Sequence, residues 1–238
     1  MMKTEQLQKK ESGSRKDGYV RIYLTCYNLF QFLGYFYVIG VMLSRYAKFG
    51  NESLSNVYEN VGSTMKLLQL LQFLEVVHPI LGFTRGDALI PFVQIFGRMV
   101  VLFMNIDVEP RIQTQPVVFF LFFVWSLIET VRYPFYITQI HKKEVFLIKW
   151  LRYNLWIPLY PSGFLCEYLI IAHNIPHFEH SKRLTVSLPN SWNFAFHMPT
   201  FSRVHIFVLV CAGLFLMKHM YALRKAKLNP KVESKKLK

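Results

Sequence analysis

Six long apolar segments dominate this sequence and constrain its fold more than any other feature. They lie at residues 19–43, 57–81, 88–106, 116–140, 146–172 and 204–221. A helix of about 20 mostly apolar residues crosses the hydrocarbon core of a bilayer while satisfying its own backbone hydrogen bonds. The sequence therefore predicts an all-α, polytopic integral membrane bundle of six transmembrane helices, with residues 19–221 as one domain.

Polar residues interrupt the second segment at helical spacing. Gln72, Glu75 and His78 follow one another at intervals of three, which places them on one stripe facing the inside of a bundle. A Glu-x-x-His step also occurs in di-iron bundles, but those need further copies of the motif on other helices. No second copy occurs in the sequence, so we interpret Glu75 and His78 as structural polar residues and predict no metal site.

The distribution of basic residues predicts how the bundle is oriented. The chain has a formal net charge of +14, and its Lys and Arg residues gather in the tail 1–18, in the connection between the fourth and fifth segments, and in the tail 222–238. Six crossings put these three clusters on one side of the membrane. By the positive-inside rule that side is the cytosol, so both termini are expected to be cytosolic.

Two further classes of interpretation follow from charge and cysteine content. The positive charge is not accompanied by a zinc-finger, RNA-recognition or basic-zipper pattern, so we predict no nucleic-acid partner. The three cysteines lie in apolar segments without metal-ligand spacing, and a disulfide framework is not expected.

The end Lys235-Lys236-Leu237-Lys238 resembles a retrieval signal of the endoplasmic reticulum; the alternative is a solvated basic tail.

Tyr160 and Glu167 are the candidate catalytic residues. They lie in the stretch LYPSGFLCE of the fifth segment, and with Tyr153 they recur every seven residues, which predicts a shared helix face. A carboxylic acid in a membrane span is costly, and is therefore a functional-site hypothesis by default. Gly163 leaves room on that face, and Pro161 is expected to bend the helix. The alternative is a structural carboxylate bonded to Tyr153 or to another helix.

A second polar group lies in the stretch WSLIETVRYPFY of the fourth segment. Glu129 and Arg132 are one helical turn apart, so they can neutralise each other in lipid. We interpret both as structural polar residues that hold the bundle together. The alternative is that Arg132 binds an acidic group of a substrate.

Several stretches together resemble a known family. They are YNLFQFLG, LLQFLEVVHPILG, QIFGR, WSLIETVRYPFY, IKWLRYNLWIPLYPSGFLCE and SLPNSWNF. In this order they are similar to the very-long-chain (3R)-3-hydroxyacyl-CoA dehydratases, once called protein-tyrosine-phosphatase-like proteins. The sequence departs from the family at Gly97, where Ser is usual, and at Gly86-Asp87. Cys166 lacks the following Arg that a phosphatase nucleophile needs, so the older name does not describe its chemistry.

The resemblance implies a multi-pass protein of the endoplasmic reticulum membrane that needs no cofactor. Its reaction would be the third step of fatty-acid elongation, the dehydration of (3R)-3-hydroxyacyl-CoA to trans-2-enoyl-CoA. An elongase, a ketoacyl-CoA reductase and an enoyl-CoA reductase would be its partners. The family's catalytic pair corresponds to Tyr160 and Glu167. We favour Glu167 as the base and Tyr160 as the acid, with reversed roles as the alternative.

Further basic and aromatic residues are candidates for substrate binding. Arg98, Arg152 and Tyr153 could donate hydrogen bonds to the thioester oxygen. Lys142, Lys143 and Lys149 could meet the phosphates of coenzyme A; alternatively, these lysines only set the topology. Two other functions remain open, a catalytically inactive scaffold of the elongation complex and a small transporter, although no repeated half of a transporter is visible.

Overall fold

The computed structural model describes residues 2–189, 191 and 193–228, with side chains from residue 18 onward. This part of the chain is helical and contains one isolated antiparallel bridge, between Val186 and Phe196. The predicted all-α class is therefore confirmed for the described residues. The basic side chains of the N-terminal tail and the dilysine end lie outside them.

Ten α-helices and one π-helix follow one another along the described chain. They are α1 (Met2–Phe49), α2 (Glu52–Ser55), α3 (Val57–Gln72), α4 (Leu74–Ile80), α5 (Leu89–Met99), the π-helix Val100–Ile106, α6 (Pro110–Gln113), α7 (Pro116–Ile140), α8 (Phe146–Asn154), α9 (Trp156–Ser181) and α10 (Met198–Leu228).

Four helical stretches are long and apolar enough to cross a membrane, and a bent pair adds a fifth. The four are Gly18–Phe49, Leu89–Ile106, Pro116–Ile140 and Met198–Leu228, and the pair is α8 with α9. These helices fit a multi-pass membrane protein. The predicted second crossing is not among them, because α3 has only 16 residues and α4 only seven, with a break at Phe73. Six crossings are therefore not confirmed.

The fifth segment is bent by 41° at Leu155, where α8 and α9 meet. The sequence predicted a bend at Pro161, which lies inside α9, and that bend stays a prediction. Pro158 explains the observed position: it has no N–H to donate to the carbonyl of Asn154, and its ring crowds that carbonyl. The helical hydrogen bonding is thus interrupted one turn before Pro158.

The helix α7 occupies the centre of the bundle. It packs against α1 on one side and against α9 on another, and it contributes fully buried side chains such as Phe122 and Trp125 to the main apolar core. The helix α10 packs mainly on α9 and α8, whereas α5 packs on α3 and α4. A space therefore remains between α5 and α10, and α7 and α9 form its floor.

Candidate active site

Tyr160 and Glu167 line the same cavity between α5, α7, α9 and α10. The cavity has a volume of about 480 Å³, and most of its lining is apolar. Both side chains are buried in the bundle, and no hydrogen bond joins them directly. Seven residues separate them, which corresponds to about 10.5 Å of helical rise. The cavity therefore offers two proton-carrying groups with space for a substrate between them.

Trp125 holds the carboxylate of Glu167 from the neighbouring helix. Its indole Nε1 donates a hydrogen bond of 3.0 Å to Oε1 of Glu167. The guanidinium of Arg98 lies over the same indole, with its Cζ 5.1 Å from the ring centroid. Arg98 also lines the cavity and interacts electrostatically with Glu167. Burial disfavours the charged form of this carboxylate, and the donor and the cation offset only part of that effect.

Arg98 is the first member of a buried chain of alternating charges. Its Nη1 donates to Oε1 of Glu129 at 2.5 Å, and Oε2 of Glu129 lies 2.8 Å from Nε of Arg132. Nη2 of Arg132 then reaches both carboxylate oxygens of Glu75, at 2.8 and 2.9 Å. Two arginines and two glutamates balance, so the chain carries no net charge into the membrane interior.

The far end of this chain shows what Glu75 and His78 do. Tyr133 donates a hydrogen bond of 2.6 Å to Oε1 of Glu75, and Gln72 donates one of 3.0 Å to the hydroxyl of Tyr133. His78 instead shares a hydrogen bond of 3.0 Å with the hydroxyl of Tyr23. Glu75 and His78 therefore have separate partners. The described residues contain no group of three or more side chains that could hold a metal ion.

The surroundings of Tyr160 are aromatic on one side and basic on the other. Its ring packs edge-to-face with Trp156 and Phe164, at centroid distances of 6.1 and 6.3 Å. The guanidinium of Arg152, on α8, interacts electrostatically with the hydroxyls of both Tyr160 and Tyr136. Arg152 does not line the cavity, but it lies beside the phenol that does.

The remaining candidates for substrate binding lie outside the cavity. Tyr153 is buried against the ring of Phe135. Lys142 and Lys143 are exposed in the connection between α7 and α8, and Lys149 is paired with a glutamate of the same connection at 3.3 Å. The structure thus brings Arg98 together with Tyr160 and Glu167, and it leaves Tyr153 and the three lysines apart.

Two residues of the cavity were missed in the sequence. Trp125 lies four residues before Glu129, so helical spacing gave a signal that the two share a face of α7. His205 of α10 lines the cavity, is 9% exposed, and its Nδ1 has no hydrogen-bond partner among the described residues. A single histidine in an apolar segment gives no comparable signal, because its role depends on the packing of other helices.

Comparisons with known proteins show which family this chain is similar to. The model of the family described as "Protein tyrosine phosphatase-like protein, PTPLA" matches residues 69–230, which include the whole cavity. A protein of Danio rerio named very-long-chain (3R)-3-hydroxyacyl-CoA dehydratase is 33% identical over 93% of this chain and 62% of its own length. A protein of Gallus gallus with the same name is 34% identical over 94% of this chain and 62% of its own length.

A shorter relative is matched over most of both sequences. Very-long-chain (3R)-3-hydroxyacyl-CoA dehydratase 4 of Homo sapiens is 29% identical over 85% of this chain and 87% of its own length. The chain therefore spans about three fifths of the Danio and Gallus proteins and most of the human one. No solved structure matches the chain significantly.

Proposed function

The chain belongs to the protein tyrosine phosphatase-like (PTPLA) family, and from this premise we propose that it dehydrates long-chain (3R)-3-hydroxyacyl-CoA to trans-2-enoyl-CoA in fatty-acid elongation. The observation that carries this proposal is the position of Tyr160 and Glu167 in one mainly apolar cavity. An acyl chain fits such a lining, and the two side chains supply the base and the acid that an elimination of water needs.

Glu167 acts as the base in this proposal. Its carboxylate removes the proton from C2 of the substrate, the electrons of that C–H bond form the C2=C3 double bond, and the C3–O bond breaks. Burial of Glu167 opposes the ionised form that a base requires, and the hydrogen bond from Trp125 and the nearby charge of Arg98 act against this effect. Arg98 also lines the cavity, so its free N–H groups are the candidate donors to the thioester oxygen as negative charge develops there.

Tyr160 acts as the acid and donates its phenolic proton to the departing hydroxide, which leaves as water. The phenolate that remains lies beside the guanidinium of Arg152, and this charge stabilises it. Protonated Glu167 then returns its proton to Tyr160, and the product water can carry it across the gap. Each turnover thus ends with both residues in their starting forms.

The test compares purified wild type with Tyr160→Phe and Glu167→Gln on a long-chain (3R)-3-hydroxyacyl-CoA, with formation of the enoyl thioester as the readout. We expect activity in the wild type and its loss in both folded variants. A substrate deuterated at C2 separates the roles: residual turnover of Tyr160→Phe should keep the isotope effect if Glu167 is the base. If the folded wild type is inactive at all chain lengths, the scaffold function replaces this proposal.

We further propose that α3 and α4 together form the sixth crossing, with both termini in the cytosol. The two helices run from residue 57 to residue 80 with one break, and α3 packs directly against α1 and α7. Single cysteines at positions 48 and 142, in a background without native cysteines, should then react with impermeant reagents from opposite sides. Labelling of both positions from the same side would contradict this arrangement.

The endoplasmic reticulum membrane is the proposed location, and the elongase and the two reductases of the elongation cycle are the proposed partners. The dehydratase reaction needs a 3-hydroxyacyl thioester as input and produces an enoyl thioester, so enzymes that reduce a ketoacyl and an enoyl group must precede and follow it. Crosslinking in native membranes, followed by identification of the linked proteins, tests this. Recovery of none of these enzymes would contradict the proposed complex.

A further inference from the structure

We propose that a second cavity, between α1, α4, the α4–α5 connection and α7, binds the pantetheine arm of the coenzyme A thioester and places its phosphates at the rim. This inference rests on the proposed dehydratase function. The cavity has a volume of about 310 Å³ and lies apart from the space that holds Tyr160 and Glu167.

The second cavity lies at a suitable distance from the reacting groups. Tyr136 and Gln139 of α7 line the second cavity, and Trp125 of the same helix is hydrogen-bonded to Glu167. Eleven residues separate Trp125 from Tyr136, which is about 16 Å of helical rise. This is comparable to the reach of an extended pantetheine arm. The second cavity also lies towards the end of α7 that leads into the α7–α8 connection, where soluble coenzyme A can enter.

Two side chains connect the cavities. Asp87 lines both of them, at the start of α5. Arg152 interacts with the hydroxyl of Tyr160, which lines the first cavity, and with the hydroxyl of Tyr136, which lines the second. Asp87 is exposed, so we place the passage of the flexible thioester arm past this residue.

The two linings differ in polarity in the same way as the acyl chain and the pantetheine arm of an acyl-CoA. The first cavity is mainly apolar, which suits an acyl chain. The second presents amide, hydroxyl and imidazole groups from Asn28, Thr84, His78, Tyr136 and Gln139. The pantetheine arm carries two amides and a hydroxyl group, so it needs a lining with several hydrogen-bonding groups.

Two exposed side chains of opposite charge, Arg85 and Asp87, line the rim of the second cavity. Arg85 lines this cavity, is exposed, and forms no ion pair among the described residues. The α7–α8 connection approaches the same end of α1, because its His141 shares a hydrogen bond of 3.2 Å with Thr25. That connection brings the exposed Lys142 into the same region. A guanidinium with free N–H groups suits the phosphates of coenzyme A.

Two substrates and two variants test the inference in the purified full-length protein. The substrates are a long-chain (3R)-3-hydroxyacyl-CoA and the N-acetylcysteamine thioester of the same acid, which lacks most of the pantetheine arm and all phosphates. For Arg85→Glu we expect KM for the CoA thioester to rise about tenfold, as for the loss of one charge-assisted hydrogen bond. For Gln139→Leu we expect a smaller rise. KM for the short thioester should stay at its wild-type value in both.

A matched control removes the effect of net charge. Lys48→Glu makes the same change of charge at the opposite end of α1, and Lys48 lines neither cavity. We expect its KM values to match the wild type for both thioesters. If Arg85→Glu leaves KM for the CoA thioester unchanged, or raises KM for both thioesters equally, the second cavity does not bind the arm.

Binding of free coenzyme A separates this inference from the proposed function. Titration calorimetry needs no turnover, so it gives a result even if the wild type is inactive. If coenzyme A binds to the wild type and to Lys48→Glu but more weakly to Arg85→Glu, the result supports the second cavity, even where an inactive wild type refutes the dehydratase function. If the wild type is active and coenzyme A binds equally to all three proteins, the cavity proposal is refuted and the dehydratase function stands.

Discussion

The indole Nε1 of Trp125 donates a hydrogen bond of 3.0 Å to Oε1 of Glu167, so a residue of α7 orients the candidate base on α9. The same indole supports the guanidinium of Arg98. One aromatic side chain therefore fixes the relative positions of a carboxylate and a cation in the cavity. The geometry of the site therefore depends on how α7 packs against α9.

Trp125→Phe should lower the rate while the protein stays folded. The variant keeps an aromatic ring beneath Arg98 but removes the N–H that orients the carboxylate of Glu167. Loss of a hydrogen bond to a charged group corresponds to a decrease of about tenfold in kcat. The measurement is steady-state turnover of a 3-hydroxyacyl-CoA. Trp150→Phe, an exposed tryptophan outside the cavity, is the control and should keep wild-type kcat.

Glu129→Gln should destabilise the whole bundle. Glu129 is fully buried and contacts both Arg98 and Arg132, so its neutralisation removes the carboxylate that joins them, and only Arg132 keeps an ion pair, with Glu75. Removing one partner of a buried ion pair costs about 3 kcal/mol or more. Thermal unfolding in detergent measures the loss. Glu144→Gln breaks an exposed pair with Lys149 and should cost at most about 1 kcal/mol; equal losses in both variants would contradict the structural role of the buried chain.

Gly163 lines the cavity between Tyr160 and Glu167, so larger side chains there should block the substrate without unfolding the protein. An added Cβ would lie 3.5 Å from Cγ1 of Val124, which is an ordinary contact. Gly163→Ala should therefore be as stable as the wild type or more stable by up to about 1 kcal/mol. Gly163→Leu should lose at least about tenfold in kcat/KM, because its side chain projects into the cavity. Full activity of a folded Gly163→Leu would place the substrate elsewhere.

Asp107, just after the π-helix, should make stability depend on pH in the acidic range. Hydrogen bonds from Lys66 and Tyr58 lower the pKa of this carboxyl below its ordinary value of 3.8. Its contribution is therefore fully present above that value and is lost as pH falls through the lower pKa of the folded state. Thermal unfolding midpoints measured between about pH 6 and about pH 3 should decrease less in Asp107→Asn than in the wild type. Parallel profiles would show that other groups control acid stability.

Local spacing predicted the part of the site that lies on a single helix. The interval of seven residues placed Tyr160 and Glu167 on one face, and both line the cavity in the structure. The same interval placed Tyr153 with them, but the break at Leu155 separates Tyr153 from α9 by a bend of 41°. Periodicity carries information only within a continuous helix, and the break at Leu155 was not predicted.

Contacts between helices were beyond what spacing could predict. Arg98 and Glu129 are 31 residues apart, and Glu75 and Arg132 are 57 apart, so their pairing depends on which helices become neighbours. The interruption of the second apolar segment is a similar case. Its polar stripe is visible in the sequence, but the break at Phe73 and the contacts of α3 with α1 and α7 are not.

The two walls of the reaction cavity belong to different parts of the bundle, since α5 packs on α3 and α4 while α10 packs on α9 and α8. Leu209 of α10 is buried in the main apolar core around α1 and α7, and Ile206 of α10 packs against that core. Phe96 of α5 and Phe215 of α10 line the gap between these walls, and both side chains are exposed. In a membrane such side chains face lipid, so this gap gives a long acyl chain a lateral route between the bilayer and the cavity that does not pass through water.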